Sequence, residues 1–342
     1  MSARLIYLTL VATLLGAALS GCGLPGTPSF STTKTGPLEI DAAQVQLNPE
    51  NAKQIRAGVL EYRGGLELSS DMGNFGGLSG LSLSPNGDIL VAVTDQGDIL
   101  RATLLHDKKG RLEGLSDVQL HRLRGIDGKH LSQRPDKRDQ DSEAIARLED
   151  GSYLISFEIR HRVLRYEDLR AKPVLFATPP GIEKAPRNGG MEAMTALPDG
   201  RILILSEKLR TKGKKSGDYI GWLLGPDGKS LGRIYWPAFG IYRPTDLAAL
   251  PNGDVLLLQR RYTVAGGLGI RLSQIPATQL KPDTRMLEVE LARMAPPLSV
   301  DNFEGLAAFP HPAEGWIVYL LSDDNFNPLQ QNLLLQFYLP EN

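Results

Sequence analysis

Gly80-Leu81-Ser82-Leu83-Ser84-Pro85-Asn86-Gly87-Asp88-Ile89-Leu90-Val91-Ala92-Val93-Thr94 decides the fold. An apolar strand meets Asn-Gly, a strong hairpin signal whose two turn residues tolerate positive φ, and a second apolar strand follows. The pattern returns four times. Ala144 to Leu148 leads through Asp150-Gly151 to Ser152–Phe157, and Ala193 to Pro198 through Asp199-Gly200 to Arg201–Ser206. Leu247 to Pro251 leads through Asn252-Gly253 to Asp254–Gln259, and Gly305 to Pro310 through a longer turn closing at Gly315 to Trp316–Ser322. Each second strand is apolar on both faces, so both faces must be covered. A repeat of roughly 50 residues with one buried hairpin each predicts an all-β chain: a single β-propeller of five or six four-stranded blades.

Third strands are predicted over Ile99–Leu104, Val163–Tyr166, Tyr219–Leu224, Gly269–Ile275 and Leu333–Tyr338. Outer strands are predicted over Val118–Leu123, Val174–Ala177, Gly232–Trp236 and Met286–Leu291. The fifth copy lacks an outer strand, which Val59 to Leu68 would supply from the N-terminal side to close the ring. Helix signals are weak throughout, with Ile275 to Leu291 as the one short exception.

The N-terminus has another character. Arg4 precedes an apolar run from Leu5 to Leu19, too short to span a bilayer comfortably and ending in Leu19-Ser20-Gly21-Cys22. This order resembles a bacterial lipobox. Residues 1–21 read as a lipoprotein signal peptide, and residues 22–51 as a lipidated Cys22 with a flexible Gly/Pro/Ser/Thr-rich spacer. Residues 52–342 form the folded domain. Lipid at Cys22 implies a membrane-anchored envelope protein, on the periplasmic side of an outer membrane where the cell has two, since Gly23 stands where an inner-membrane retention aspartate would be. Cys22 is the only cysteine, which excludes an intrachain disulfide. With 38 basic and 39 acidic residues the net charge is −1, which argues against a general nucleic-acid binder. A monomer is expected.

The residue just before each inner strand reads Ser79, Glu143, Glu192, Asp246 and Glu304. Strand starts of all blades gather at one end of a propeller channel, so four carboxylates should converge there. Mutual repulsion raises some of their pKa values, and a cation relieves it; oxygen ligands favour Ca²⁺, Mg²⁺ or Mn²⁺ over zinc. Arg160 and His161, Arg187, Arg243, and Arg260 with Arg261 stand near the same strand ends; Arg160, His161, Arg187 and Arg243 are candidate binders of a substrate anion. Asp95, Glu158 and Glu207 close second strands and read individually as turn caps or blade-to-blade partners. Arg134 to Asp141 is a charged loop between blades. No Gly-x-Ser-x-Gly, His-Glu-x-x-His or phosphate-loop motif occurs.

Six segments carry a family likeness: Phe75 to Leu81, Glu158 to Tyr166, Pro186 to Glu192, Arg243 to Asp246, Asp301 to Leu306, and Ser322-Asp323-Asp324-Asn325-Phe326-Asn327-Pro328. Together they resemble the bacterial phytase-like family often named "esterase-like activity of phytase", over about Ala57 to Tyr338. The resemblance implies a hydrolase of phosphate or other esters. The architecture is similar to calcium-dependent propeller phytases and gluconolactonase-type propellers, where an acid at an inner-strand start holds a metal. It makes Glu143, Glu192, Asp246 and Glu304 metal candidates, with Asp323 and Asp324 near them. Arg160, Arg187 and Arg243 become the anion candidates. Gln259 stands where many family members would have Glu. The expected function is an exported hydrolase of small anionic esters using a divalent cation, Ca²⁺ first, with Glu192 or Glu304 as general base. The rival expectation is a non-enzymatic envelope-binding propeller in which the same acids hold a structural ion or staple blades through arginines.

Overall fold

The computed structural model describes residues 36–72, 75–134, 136–212 and 217–341. The expected signal peptide, Cys22 and the spacer up to residue 35 lie outside the described residues. Among the described residues no helix is long and apolar enough to cross a membrane.

The chain forms five antiparallel sheets, one per blade. The inner strands are Leu78–Leu83, Ser142–Arg147, Met191–Ala196, Arg243–Ala249 and Phe303–Pro310. Each inner strand contacts the next, and the fifth contacts the first, so the ring closes at five blades. The outer strand of blade 5 comes from the N-terminal side, as expected: Leu60–Ser69 pairs with Asn332–Leu339, with Leu66 opposite Leu334. The expected helix signal after Ile275 resolves to a single 3-10 turn at Ala277–Gln279.

The two-faced apolar strands explain why the blades stack. In blade 3, Ile202 and Ile204 enter the cluster shared with blade 2, while Leu203 and Leu205 enter the cluster shared with blade 4. In blade 4, Val255 and Leu257 face blade 3, and Leu256 and Leu258 face blade 5. A side-chain period of two sends alternate residues to opposite neighbours. Burying one such Leu or Ile stabilises by roughly 1.5–3 kcal/mol, so each second strand is anchored twice.

Two expectations change. The hairpin turns are not built with two left-handed residues. Only the glycine has positive φ, +76° at Gly87 and +84° at Gly200, and its amide donates three residues back, Gly87 to the Ser84 carbonyl at 2.9 Å. Such a type I turn closed by a left-handed glycine needs Asn or Asp only as a local hydrogen-bonding residue. Residues 36–51 are also not a flexible spacer. Gly36–Pro37 pairs with the outer strand of blade 1, and Asp41–Gln44 with Leu66–Ser69. Leu38 and Leu47 are buried between blades, and this burial holds a segment whose Pro and Gly content reads as linker.

Candidate functional site

At the end of the channel where inner strands begin, every inner strand carries a β-bulge. Pairing slips between Leu78 and Leu81, Ser142 and Ile145, Met191 and Ala193, Pro244 and Asp246, and Phe303 and Gly305. A bulge re-aims the side chain at the slip. Aligned on these slips, the ring of equivalent residues is Ser79, Glu143, Glu192, Thr245 and Glu304. The blade 4 member is Thr245, one residue before the expected Asp246.

All five ring residues line a cavity of about 240 Å³. Its wall adds Asp95, Asp141, Glu158, Glu207 and Asp323, contributed by strand ends and loops. Eight carboxylates therefore face one small space, against Lys208 and Arg260 as the basic lining residues. Glu143, Glu192, Glu304 and Asp323 reach it as expected. Asp141 does so unexpectedly from the charged loop before blade 2; Asp95, Glu158 and Glu207 line the cavity as well, and Glu158 and Glu207 also bond to the neighbouring blade.

The densest part lies at blades 2 and 3. One carboxylate oxygen from each of Asp141, Glu143 and Glu158 falls within 4.8 Å of the other two. Glu192 lies within side-chain reach of both Glu143 and Glu158. Carboxylates this close repel one another, so the cluster demands protons or a cation. Burial pushes the Glu143 carboxyl well up, and the charges of Glu158, Asp141 and Glu304 add to it. Burial likewise raises Glu192, followed by the Glu143 and Glu158 charges. Across the cavity, burial and then Glu304 push Asp323 up to about 8. Glu304 is also raised by burial, opposed by the Arg260 charge and the Asn302 amide.

Glu158 is aimed by its surroundings. It is buried, and its Oε1 accepts hydrogen bonds from the amides of Gly189 and Gly190. The His161 ring packs against Gly190, where an added Cβ would come within 2.4 Å of ring atoms. The motif Arg187-Asn188-Gly189-Gly190 is thus a backbone clamp on a neighbouring blade's acid. His161 supports that clamp and does not line the cavity.

The expected anion binders separate. Arg160 turns to the loop before its own blade, pairing with Asp139 at 2.7 Å and Asp136 at 3.0 Å, away from the cavity lining. Arg187 is exposed and lies outside the lining as well. Arg243 stays at the rim, held by Glu207 at 3.2 Å. Lys208 and Arg260 face the cavity instead: Lys208 meets Glu207 at 2.5 Å and Arg260 meets Glu304 at 3.1 Å.

Two expected ligands also leave the cavity. Asp324 accepts the Gly77 amide at 3.0 Å and the Asn332 side-chain amide at 3.0 Å, so it braces blade 5 against the strand leading into blade 1. Neighbouring residues point opposite ways, and Asp323 takes the cavity side. Asp246 is fully buried one residue below the ring and lines no part of the cavity. Gln259 is accounted for elsewhere: it accepts from Arg271 at 2.7 Å and donates to Glu288 at 2.6 Å in a buried network between blades 3 and 4.

The donor set fits a hard divalent cation. Its atoms are oxygens, mostly carboxylate. In the same cavity the Thr245 hydroxyl is buried and has no hydrogen-bond partner, an uncommon state for a buried polar atom.

A search of curated proteins finds no match. Among solved structures, a gluconolactonase from Xanthomonas campestris matches at 12% identity and a TM-score of 0.41, covering 90% of this chain and 98% of that one. A virginiamycin B lyase from Staphylococcus aureus matches at 10% and 0.42, covering 88% and 100%. An aldose sugar dehydrogenase from Streptomyces coelicolor matches at 14% and 0.42, covering 89% and 99%. The family model described as "Phytase-like: Esterase-like activity of phytase" spans residues 73–326, which include all five inner strands and the whole acidic ring. The chain belongs to the phytase-like family.

Proposed function

We propose that this protein is a divalent-cation-dependent hydrolase of phosphate or carboxylate esters, with Ca²⁺ the first candidate. The observation that carries the reading is the contact of Asp141, Glu143, Glu158 and Glu192 in one cavity beside the unpartnered Thr245 hydroxyl. Asp141, Glu143 and Glu158 would hold the cation, with Glu192 and Thr245 beside them. When bound, the cation neutralises the acidic wall and polarises an ester oxygen. Lys208 and Arg260, fixed by Glu207 and Glu304, present positive charge to the acidic oxygens of the substrate, with Arg243 at the rim. Glu192 gives up its proton once positive charge stands beside it, and then accepts one from the attacking water.

A second reading draws on the ion pairs themselves. Glu207 and Glu304 are each held by a basic partner, as a propeller that staples its blades would have them. In that reading the cation is structural and the protein binds without turnover.

The N-terminal segment supports export, lipid attachment at Cys22 and residence in the cell envelope. Incorporation of labelled fatty acid that is lost in Cys22→Ser tests this part.

The test of activity is hydrolysis of p-nitrophenyl phosphate, p-nitrophenyl butyrate and a δ-lactone by the full chain, in chelator and with Ca²⁺, Mg²⁺ or Mn²⁺. Turnover with one ion, falling about 10²-fold or more in Glu192→Gln, is the expected result. Cation binding without turnover of any substrate class favours the second reading.

A further inference from the structure

Asp246 is fully buried on the inner strand of blade 4, one residue below the ring. The other four blades carry the small residues Gly80, Ala144, Ala193 and Gly305 at this position, where a Cβ on Gly80 or Gly305 would crowd the neighbouring blade's inner strand. Asp246 is the one acid among the five. It accepts the Leu247 amide at 2.8 Å and, from blade 5, the Leu306 amide at 2.7 Å. The amides of Leu81 in blade 1 and Met194 in blade 3 stand near enough to draw its pKa down. Each of the four donors lies two residues after a ring residue: Ser79, Glu192, Thr245 and Glu304.

Converging backbone amides form an anion site. Both hydrogen bonds at 2.7–2.8 Å, from Leu247 and Leu306, bring a backbone N–H to a carboxylate oxygen of Asp246. Thr245 lines the acidic cavity, whereas Leu247 lines a second cavity at the opposite channel end; Asp246 lines neither. The residue therefore stands as a septum between the two.

We infer that the propeller axis holds an anion-binding nest built from the backbone amides of four blades, and that Asp246 is its resident anion, fixing the spacing of the ring residues above it. The inference stands whether or not the cavity above is catalytic. Burial pushes the Asp246 carboxyl well above the ordinary carboxylate range, and the amides of Leu306, Leu247, Leu81 and Met194 draw it part of the way back.

The experiment compares melting temperatures of the full-length wild type, Asp246→Ala and Asp246→Asn. Each is measured in formate or neutral formamide, with ionic strength held by a bulky sulfonate. Asp246→Ala vacates the nest, so it melts lower by about 5 °C or more. Formate restores part of the loss in a saturable manner, and formamide does not. Asp246→Asn fills the space without charge, so it also melts below wild type and does not respond to formate. Formate acting equally on wild type and Asp246→Ala, or no better than formamide, overturns the inference. Asp246→Asn melting with wild type overturns it as well, and that variant decides the matter if Asp246→Ala does not fold.

Discussion

The Gly190 amide of blade 3 donates to the Glu158 carboxylate of blade 2 at 2.5 Å. One oxygen of Glu158 is thereby fixed by a neighbouring blade's backbone, leaving the other oxygen for the cavity. A Cβ at position 190 would strike the His161 ring, so Gly190→Ala should shift the clamp without touching any acid. We expect a roughly 10–100-fold loss of cation affinity, the usual effect of disturbing a group that orients a ligand. Calorimetric titration with Ca²⁺ checks it; unchanged affinity would show that the clamp does not orient Glu158.

Asp323 and Asp324 should separate cleanly. Asp324→Ala leaves the buried Gly77 amide without its acceptor, at a cost of about 1–3 kcal/mol, yet it should bind cation as wild type does. Asp323→Asn should lower cation affinity with a smaller effect on melting. Urea unfolding of both variants, with and without cation, distinguishes these roles.

The pH dependence has a definite sign. Asp323 is raised to about 8, and Glu143, Glu192 and Glu304 are raised too. Above about pH 4 the unfolded chain releases protons that these groups keep in the folded state, so raising the pH favours unfolding. Cation-free protein should lose stability from about pH 4 to 8, by up to about 1.4 kcal/mol per pH unit for each such group. Saturating cation should flatten the decline, because it replaces the protons. Cation-free stability that rises over this range would contradict the account.

Starting the chain at Ala52 removes Gly36–Pro37, Asp41–Gln44 and the buried Leu38 and Leu47. We expect its melting temperature to fall by about 5 °C or more relative to a chain starting at Lys34. Equal melting would return residues 36–51 to the status of a spacer.

Much of the fold was legible because its signals are local. Glycine turns and strands apolar on both faces report their burial directly, and the Tyr219–Leu224 and Val174–Ala177 strands fall where the pattern puts them. The ring was read one residue out of place at blade 4. Asp246 supplies the acid that the pattern asks for, but the bulge at Thr245 sets which residue faces the cavity, and a one-residue slip turns a side chain away. Asp141 was missed because a loop's approach to the channel leaves no periodic mark. Arg160 was misplaced because its partners Asp136 and Asp139 lie in another loop. Arg260 is legible as a basic residue that follows the second strand of blade 4; Lys208 follows the second strand of blade 3 in the same way, and that shared position is the signal that finds it.

The most direct test is calorimetric titration of the full chain with Ca²⁺, Mg²⁺ and Mn²⁺, alongside a Glu143→Gln/Glu158→Gln double variant. The account predicts saturable binding of one of these ions to wild type, accompanied by proton release, and loss of that binding in the variant. No binding of any ion to wild type, or equal binding to both proteins, would contradict it.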